Sequence, residues 1–269
     1  MGTGLIPYPT YKPSGEPWLG DVPEHWTVRS LGSLTRSRSE RGRPDLPLLS
    51  VLREKGVVLR SSLAEDENRN VVPEDLSNYK LATAGDLVIN KMKAWQGSLG
   101  IAPVDGIVSP AYYVLHFRIE RPSYGEVLLR SRPYVDLFNR VSDGVRPGQW
   151  DLSIAGMKRL PVLVPPPDEQ ELIVRFLAHK YRNIASLFSA YHRLVGVSRS
   201  LAERRGSLVN EYRTRLVADV VTGKLDVRRA ASALPDAGRL SDAVDMLDRF
   251  ADRNGTEPDE DDELAEVSA

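Results

Sequence analysis

The sequence predicts an α+β chain: a mixed, strand-rich domain over residues 1–165, a long coiled-coil-forming helix over 166–229, and a short amphipathic segment with an acidic tail over 230–269. Three observations carry this division. Proline and glycine punctuate the first part and bound short runs of β-branched and aromatic residues, the pattern of strands between turns. Proline is then absent between Pro167 and Pro235, while leucine recurs every seven residues. Finally, residues 1–229 hold 33 Lys and Arg against 25 Asp and Glu, a net of +8, whereas residues 230–269 hold 3 against 12, a net of −9.

The elements follow in order. DLVINKM (86–92), GIVSPAYYVLHFRI (106–119) and LPVLVPPP (160–167) read as strands. LRSRPYVDLFNRV (129–141) places Leu129, Tyr134, Leu137, Phe138 and Val141 closer to helical spacing. After Pro165–Pro167, Asp168 is suited to an N-cap, and Glu169 and Glu171 suit the positive end of a helix dipole. The seam of that helix is Leu177, Ile184, Leu187, Tyr191, Leu194, Leu201, Leu208 and Tyr212, interrupted by the polar Ser198 and Arg205. One unbroken helix of 55 residues would span roughly 80 Å. Gly196 and Gly206 offer the alternative of a helix that folds back on itself. Leu240, Val244, Leu247 and Phe250 give a short amphipathic segment, and EPDEDDELAEVSA is expected to be a solvated, disordered tail.

Much chemistry is excluded by what the chain lacks. It has no cysteine, hence no disulfide, thiolate ligand or cysteine nucleophile, which fits a reducing cytoplasm. No apolar run reaches the ~18 residues of a membrane span, and the N-terminus lacks the layout of a secretory signal. There is no phosphate-binding GxxxxGK[ST], no GxGxxG, no HExxH and no GxSxG. His25, His116, His179 and His192 are scattered, so no metal site is expected. SPAY (109–112) is only faintly similar to the base-holding loop of amino-methyltransferases, and REK (53–55) to a nuclease motif with the wrong spacing. The chain is expected to be non-catalytic.

Three segments share one resemblance. YKPSGEPWLGDVPEHWTVRSLGSL (11–34) resembles the opening of specificity subunits of type I restriction-modification systems. INKMKAWQGSLGIAPVDGIVSPAYYVL (89–115) resembles the core of one class of their target recognition domains. LPVLVPPPDEQELIVRFLAHKYRNIASL (160–187) and VTGKLDVR (221–228) resemble the start and end of their spacer helix. The resemblance implies a DNA-binding, non-catalytic subunit that directs partner adenine-N6 methyltransferase subunits and, where present, a motor and endonuclease subunit. S-adenosylmethionine, ATP and magnesium would then belong to those partners. Family members carry two recognition domains and two spacers, and here each motif occurs once. A half-length subunit that homodimerises through its helix, reading two inverted half-sites, is the expected arrangement. The alternative is a fragment that binds methyltransferase subunits through its helix without reading DNA.

Base readout needs side chains with two fixed hydrogen-bonding groups, whereas phosphate contacts need cations or hydroxyls. SDGVRPGQWDLS (142–153) offers Arg146 and Gln149 as readers, and KMKAWQGS (91–98) offers Gln96. Lys91, Lys93 and Ser98, with Arg38, Arg41 and Arg43 of SRSERGR (37–43), are the phosphate candidates. Trp95 and Trp150 fit packing better than DNA contact.

Overall fold

Turn residues cut the first part of the chain into short strands, as the sequence predicts. The computed structural model describes residues 5–64, 72–143, 150–195 and 199–234, with backbone alone for 185–195 and 199–206. In chain order, β1 (Tyr11–Pro13), β2 (Asp21–Pro23) and β3 (Thr27–Ser30) precede α1 (Leu31–Leu34) and β4 (Thr35–Arg38). The hairpin of β5 (Leu49–Leu52) and β6 (Gly56–Leu59) comes next. It is followed by β7 (Lys80–Ala82), β8 (Leu87–Asn90), β9 (Leu99–Ile101), β10 (Gly106–Val108) and β11 (Tyr112–Phe117). Then come α2 (Pro122–Leu129), α3 (Arg132–Arg140), β12 (Ser142–Asp143), β13 (Asp151–Leu152), α4 (Ile154–Arg159) and β14 (Pro161–Val164). Three helices, α5 (Pro167–Val195), α6 (Arg199–Val221) and α7 (Arg228–Ser232), end the described chain. The class is α+β.

These elements form two compact units that interleave along the chain. The first takes the residues up to Ser30, Ile119–Pro133, and the described chain from Pro161; the second takes Leu31–Arg118 and Tyr134–Leu160. The block 1–165 expected as one domain thus contributes to both. The physical reason is long-range pairing: β3 lies antiparallel to β14, with Thr27 opposite Val164.

In the second unit, four antiparallel strands lie in the order β4-β11-β8-β9. All four residues of β8 are buried, so both faces of the sheet are covered. Val88 and Val114 join Leu49, Val51, Val57, Ala82, Ala102 and Val108 in one apolar cluster. Each fully buried aliphatic side chain of this kind stabilises the fold by ~1.5–3 kcal/mol. The stretch 106–119 forms two strands rather than one. Pro110 has no N–H for a ladder, and Ser109 closes a turn by accepting the Tyr112 amide at 3.1 Å. Tyr134, Leu137 and Phe138 of α3 are buried at the helical spacing predicted.

In the first unit the single long helix is corrected to two. The Arg213 guanidinium of α6 lies 4.0 Å over the Tyr181 ring of α5, and Arg175 donates to the Leu234 carbonyl at 3.1 Å. Tyr181, later in α5, thus meets α6, while Arg175, earlier in α5, meets chain that follows α6, so the two helices run antiparallel. Helix α5 extends to Val195 and α6 starts at Arg199, and α6 runs unbroken through Gly206. Folding back changes which face is covered. Leu177 is buried and Ile184 half-buried, but α6 buries Arg213, Leu216, Val217 and Val220 rather than Leu208 and Tyr212. Leu208 and Tyr212 remain 64% and 48% exposed. Side chains of Leu187, Tyr191, Leu194 and Leu201 lie outside the described residues, as do the amphipathic segment and the acidic tail. Asp168 is not the cap: the helix begins at Pro167, and the Pro166 carbonyl accepts the Glu169 and Gln170 amides.

Candidate nucleic-acid interface

Two loops singled out in the sequence meet in the second unit. Strand β8 ends at Asn90, and the chain continues through Lys91 into a single 3-10 turn, Ala94–Gln96, closed by Gly97. The short hairpin β12–β13 brackets residues 144–149, with Ser142 opposite Leu152 and Asp143 opposite Asp151. Its second strand is fastened to the first loop. The Leu152 amide donates to the Lys91 carbonyl at 2.9 Å, and Lys91 Nζ lies 3.4 Å from Asp151 Oδ2. The Tyr113 hydroxyl donates to the Leu152 carbonyl at 3.2 Å. The rings of Trp95 and Trp150 stand 5.2 Å apart, and the Trp95 indole N–H donates to the Met92 carbonyl. The tryptophans therefore hold one loop to the other, the packing role expected of them.

The candidates separate on this geometry. Arg146 and Gln149 lie outside the described residues, on the segment whose two ends the hairpin fixes. Gln96 is half-buried with its Oε1 enclosed and unpaired, so its amide does not present the two-atom fork that adenine readout requires. Ser98 is corrected as a phosphate contact: only 2% exposed, it serves the fold by accepting the Asn90 amide on its carbonyl at 3.0 Å. Lys93 is half-buried, with its amide donating to the Asn90 carbonyl at 3.2 Å.

The arginines of 37–43 differ among themselves. Arg38 Nε donates to Asp86 at 2.8 Å and Nη1 to Glu40 at 3.2 Å. Asp86 is 1% exposed and also accepts the Thr83 amide and hydroxyl, so Arg38 is committed to the fold. Arg43 is paired with Asp45 at 2.9 Å on an exposed turn, a contact worth little in water. Arg41 donates to the Asn78 side chain, which leaves its charge intact.

Lys80 was not among the sequence candidates. It forms a backbone bridge with Arg41, and its Nζ donates to the Tyr112 carbonyl at 2.6 Å. Tyr112 stands opposite Asn90 in the sheet register, next to Lys91. Arg41, Lys80 and Lys91 thus gather at one end of the sheet, where β8 ends and β11 begins. Burial, with the charges of Arg41 and Lys91, pushes the Lys80 amine below its ordinary range. No sequence signal marks it, because LSNYKLATAG holds a single lysine without periodicity.

Residues of the opening and spacer-helix motifs lie elsewhere, in the first unit, where they join Tyr8 in a buried polar cluster. Glu169 Oε1 accepts the Tyr8 hydroxyl at 2.5 Å and the Trp26 indole N–H at 3.1 Å, and Oε2 lies 2.7 Å from His25 Nε2. Arg228 sits 5.0 Å over the Tyr8 ring and grips Asp226, with Nη2 donating at 2.6 Å. Burial would raise the Asp226 carboxyl, but the Arg228 hydrogen bonds outweigh it and hold it below the usual range. The Tyr11 hydroxyl donates to the Gly223 carbonyl at 3.1 Å. The N-terminal segment, the start of α5 and the end of α6 are thereby tied together, a structural rather than a DNA-contacting role.

Burial, then the hydrogen bond and charge of Glu169, push the Tyr8 phenol far above its ordinary value of 10.0. Its folded value exceeds its unfolded one, so its contribution is complete below about pH 10 and is lost as the pH rises further. Stability is therefore expected to fall above that pH in urea titrations, and Tyr8→Phe should flatten the slope. An unchanged slope in the variant would contradict this.

No family model matches the chain, and no curated protein matches it. Solved structures of type I restriction-modification S subunits are among its structural neighbours. The HsdS subunit from Thermoanaerobacter tengcongensis has 17% identity and a TM-score of 0.40, covering 76% of this chain and 47% of its own. The S subunit from M. genitalium has 13% identity and a TM-score of 0.37, covering 71% and 48%. A chain of a type I system solved for complex assembly and conformational transition has 15% identity and a TM-score of 0.36, covering 76% and 48%. This chain spans about half the length of each. Among the described residues, no helix is long and apolar enough to cross a membrane.

Proposed function

We propose that this chain is a DNA-binding specificity subunit of a type I restriction-modification system, with one recognition unit in place of the usual two. One observation carries the reading: the Leu152–Lys91 hydrogen bond fastens β13 to the lysine-bearing loop, on the side of the sheet where Arg41, Lys80 and Lys91 gather. Sequence-specific binding needs cations that fix the DNA backbone together with side chains that read base edges, and Arg146 and Gln149 are the proposed readers. The chain supplies no catalytic group in this reading. A partner methyltransferase supplies adenine-N6 methyl transfer and holds S-adenosylmethionine; a motor subunit, where present, holds ATP and magnesium. The working form is a cytoplasmic homodimer that meets two inverted half-sites across unread base pairs.

Arg146→Ala is expected to lose discrimination at one base pair, by ~1–3 kcal/mol, and to bind other sequences nearly as before. Competition binding against single-base-pair variants of the site measures this. Uniform weakening across all variants would show that Arg146 is not a reader. The exposed Leu208 and Tyr212 on α6 favour a second reading, in which the helices dock partner subunits and the chain reads nothing. Footprinting with the methyltransferase present separates the two: protection of a defined sequence supports the specificity role, and protection without sequence preference supports the scaffold.

A further inference from the structure

Cations of the second unit differ in what already engages them. Arg38 faces Asp86 and Glu40, and Arg43 faces Asp45. Among the described residues, the one carboxylate paired with Arg41, Lys80 or Lys91 is Asp151, 3.4 Å from Lys91. Backbone geometry enforces their proximity. The Leu81 amide donates to the Glu40 carbonyl at 2.8 Å and the Gly42 amide to the Ser77 carbonyl at 3.1 Å, locking residues 40–42 to 77–81. The Lys80 ammonium is then drawn onto the Tyr112 carbonyl at 2.6 Å, at the sheet end where Lys91 follows Asn90. Among the described residues, the Lys80 ammonium meets this neutral carbonyl and no carboxylate, which leaves its charge and further N–H groups for another acceptor.

We propose that Arg41, Lys80 and Lys91 form one phosphodiester-binding site, with Lys80 at its centre, that anchors the DNA backbone independently of sequence. Like charges held together at a half-buried position destabilise one another, and a phosphate between them removes that repulsion. Lys80 also shows why this site differs from a solvated basic surface: its stem is packed and its headgroup aimed by a hydrogen bond, so little side-chain freedom is lost on binding. This site rests on the DNA-binding reading above, because its ligand is the backbone of a duplex.

The test is the salt dependence of binding of the full chain to a duplex of arbitrary sequence, between 50 and 200 mM NaCl. Each phosphate contact contributes a slope of about −0.9 in log affinity against log salt, or roughly a three- to fourfold loss over that range. Lys80→Met keeps the packed stem and is expected to reduce the slope by about one contact. Arg41→Gln with Lys80→Met and Lys91→Met should remove about three, so that roughly 40-fold of the salt effect disappears. Arg38→Gln should leave the slope unchanged, and Lys80→Arg should restore it. Circular dichroism of each variant confirms that the fold is retained. If the wild-type chain shows the salt-dependent binding and the triple variant keeps its full slope, this site is wrong and the DNA-binding reading survives. If the wild-type chain binds no duplex at any salt, both fail.

Discussion

Gly223→Val is expected to destabilise the first unit by about 3 kcal/mol or more. Gly223 ends α6 with φ +76°, a left-handed conformation that costs a β-branched residue heavily. Space is the second obstacle. A Cβ there would lie 2.4 Å from Pro23 Cδ, 2.7 Å from Pro23 Cγ and 3.2 Å from Trp26 Cζ3. Neither neighbour can retreat easily: Pro23 pairs with Tyr11 in the β1–β2 ladder, its carbonyl accepts the Trp26 amide at 2.9 Å, and Trp26 is fully buried. Urea unfolding followed by tryptophan fluorescence measures the loss. A change below about 1 kcal/mol would show that the helix end is not clamped against the N-terminal segment as described.

Glu169→Ala should be nearly as damaging. Its carboxylate is the shared acceptor for Tyr8 and Trp26, which are 3% and 0% exposed. Removing it leaves both donors buried without that partner, at ~1–3 kcal/mol each, and also frees Arg228 and His25 from a nearby anion. Glu169→Gln retains one carbonyl oxygen for Tyr8 and Trp26 and should lose less. The predicted order of unfolding free energies is wild type, then Gln, then Ala. Equal stability of the Ala variant and wild type would remove Glu169 from the centre of the cluster.

Both predictions concern residues whose type was visible in the sequence and whose role was not. Glu169 reads as a helix-dipole residue because first-turn position is local information, whereas its partners Tyr8 and Trp26 lie more than 140 residues away. Buried strands were legible because β-branched runs bounded by turn residues are also local; β8 and β14 fall where predicted. The heptad spacing of Leu187, Leu194, Leu201 and Leu208 suggests one helix, yet periodicity cannot distinguish a continuous helix from two that pack antiparallel. The candidate site was half legible. Loops 91–98 and 142–153 were selected by residue chemistry, and the fold brings them together. Ser98 and Arg38 have suitable chemistry but are taken up by the fold, through burial and through Asp86. Lys80 gains its role only from the strand register that places it beside Tyr112 and Arg41.

The central claim is that one recognition unit, used twice, selects the DNA site. Mapping N6-methyladenine in DNA from cells that express this chain with the methyltransferase subunits proposed as its partners tests it most directly. The account predicts a single motif made of two inverted copies of one half-site at a fixed spacing, lost when the recognition unit is disabled by the Arg41, Lys80 and Lys91 substitutions. Methylation with no shared sequence, or at a motif whose two halves differ, would contradict it.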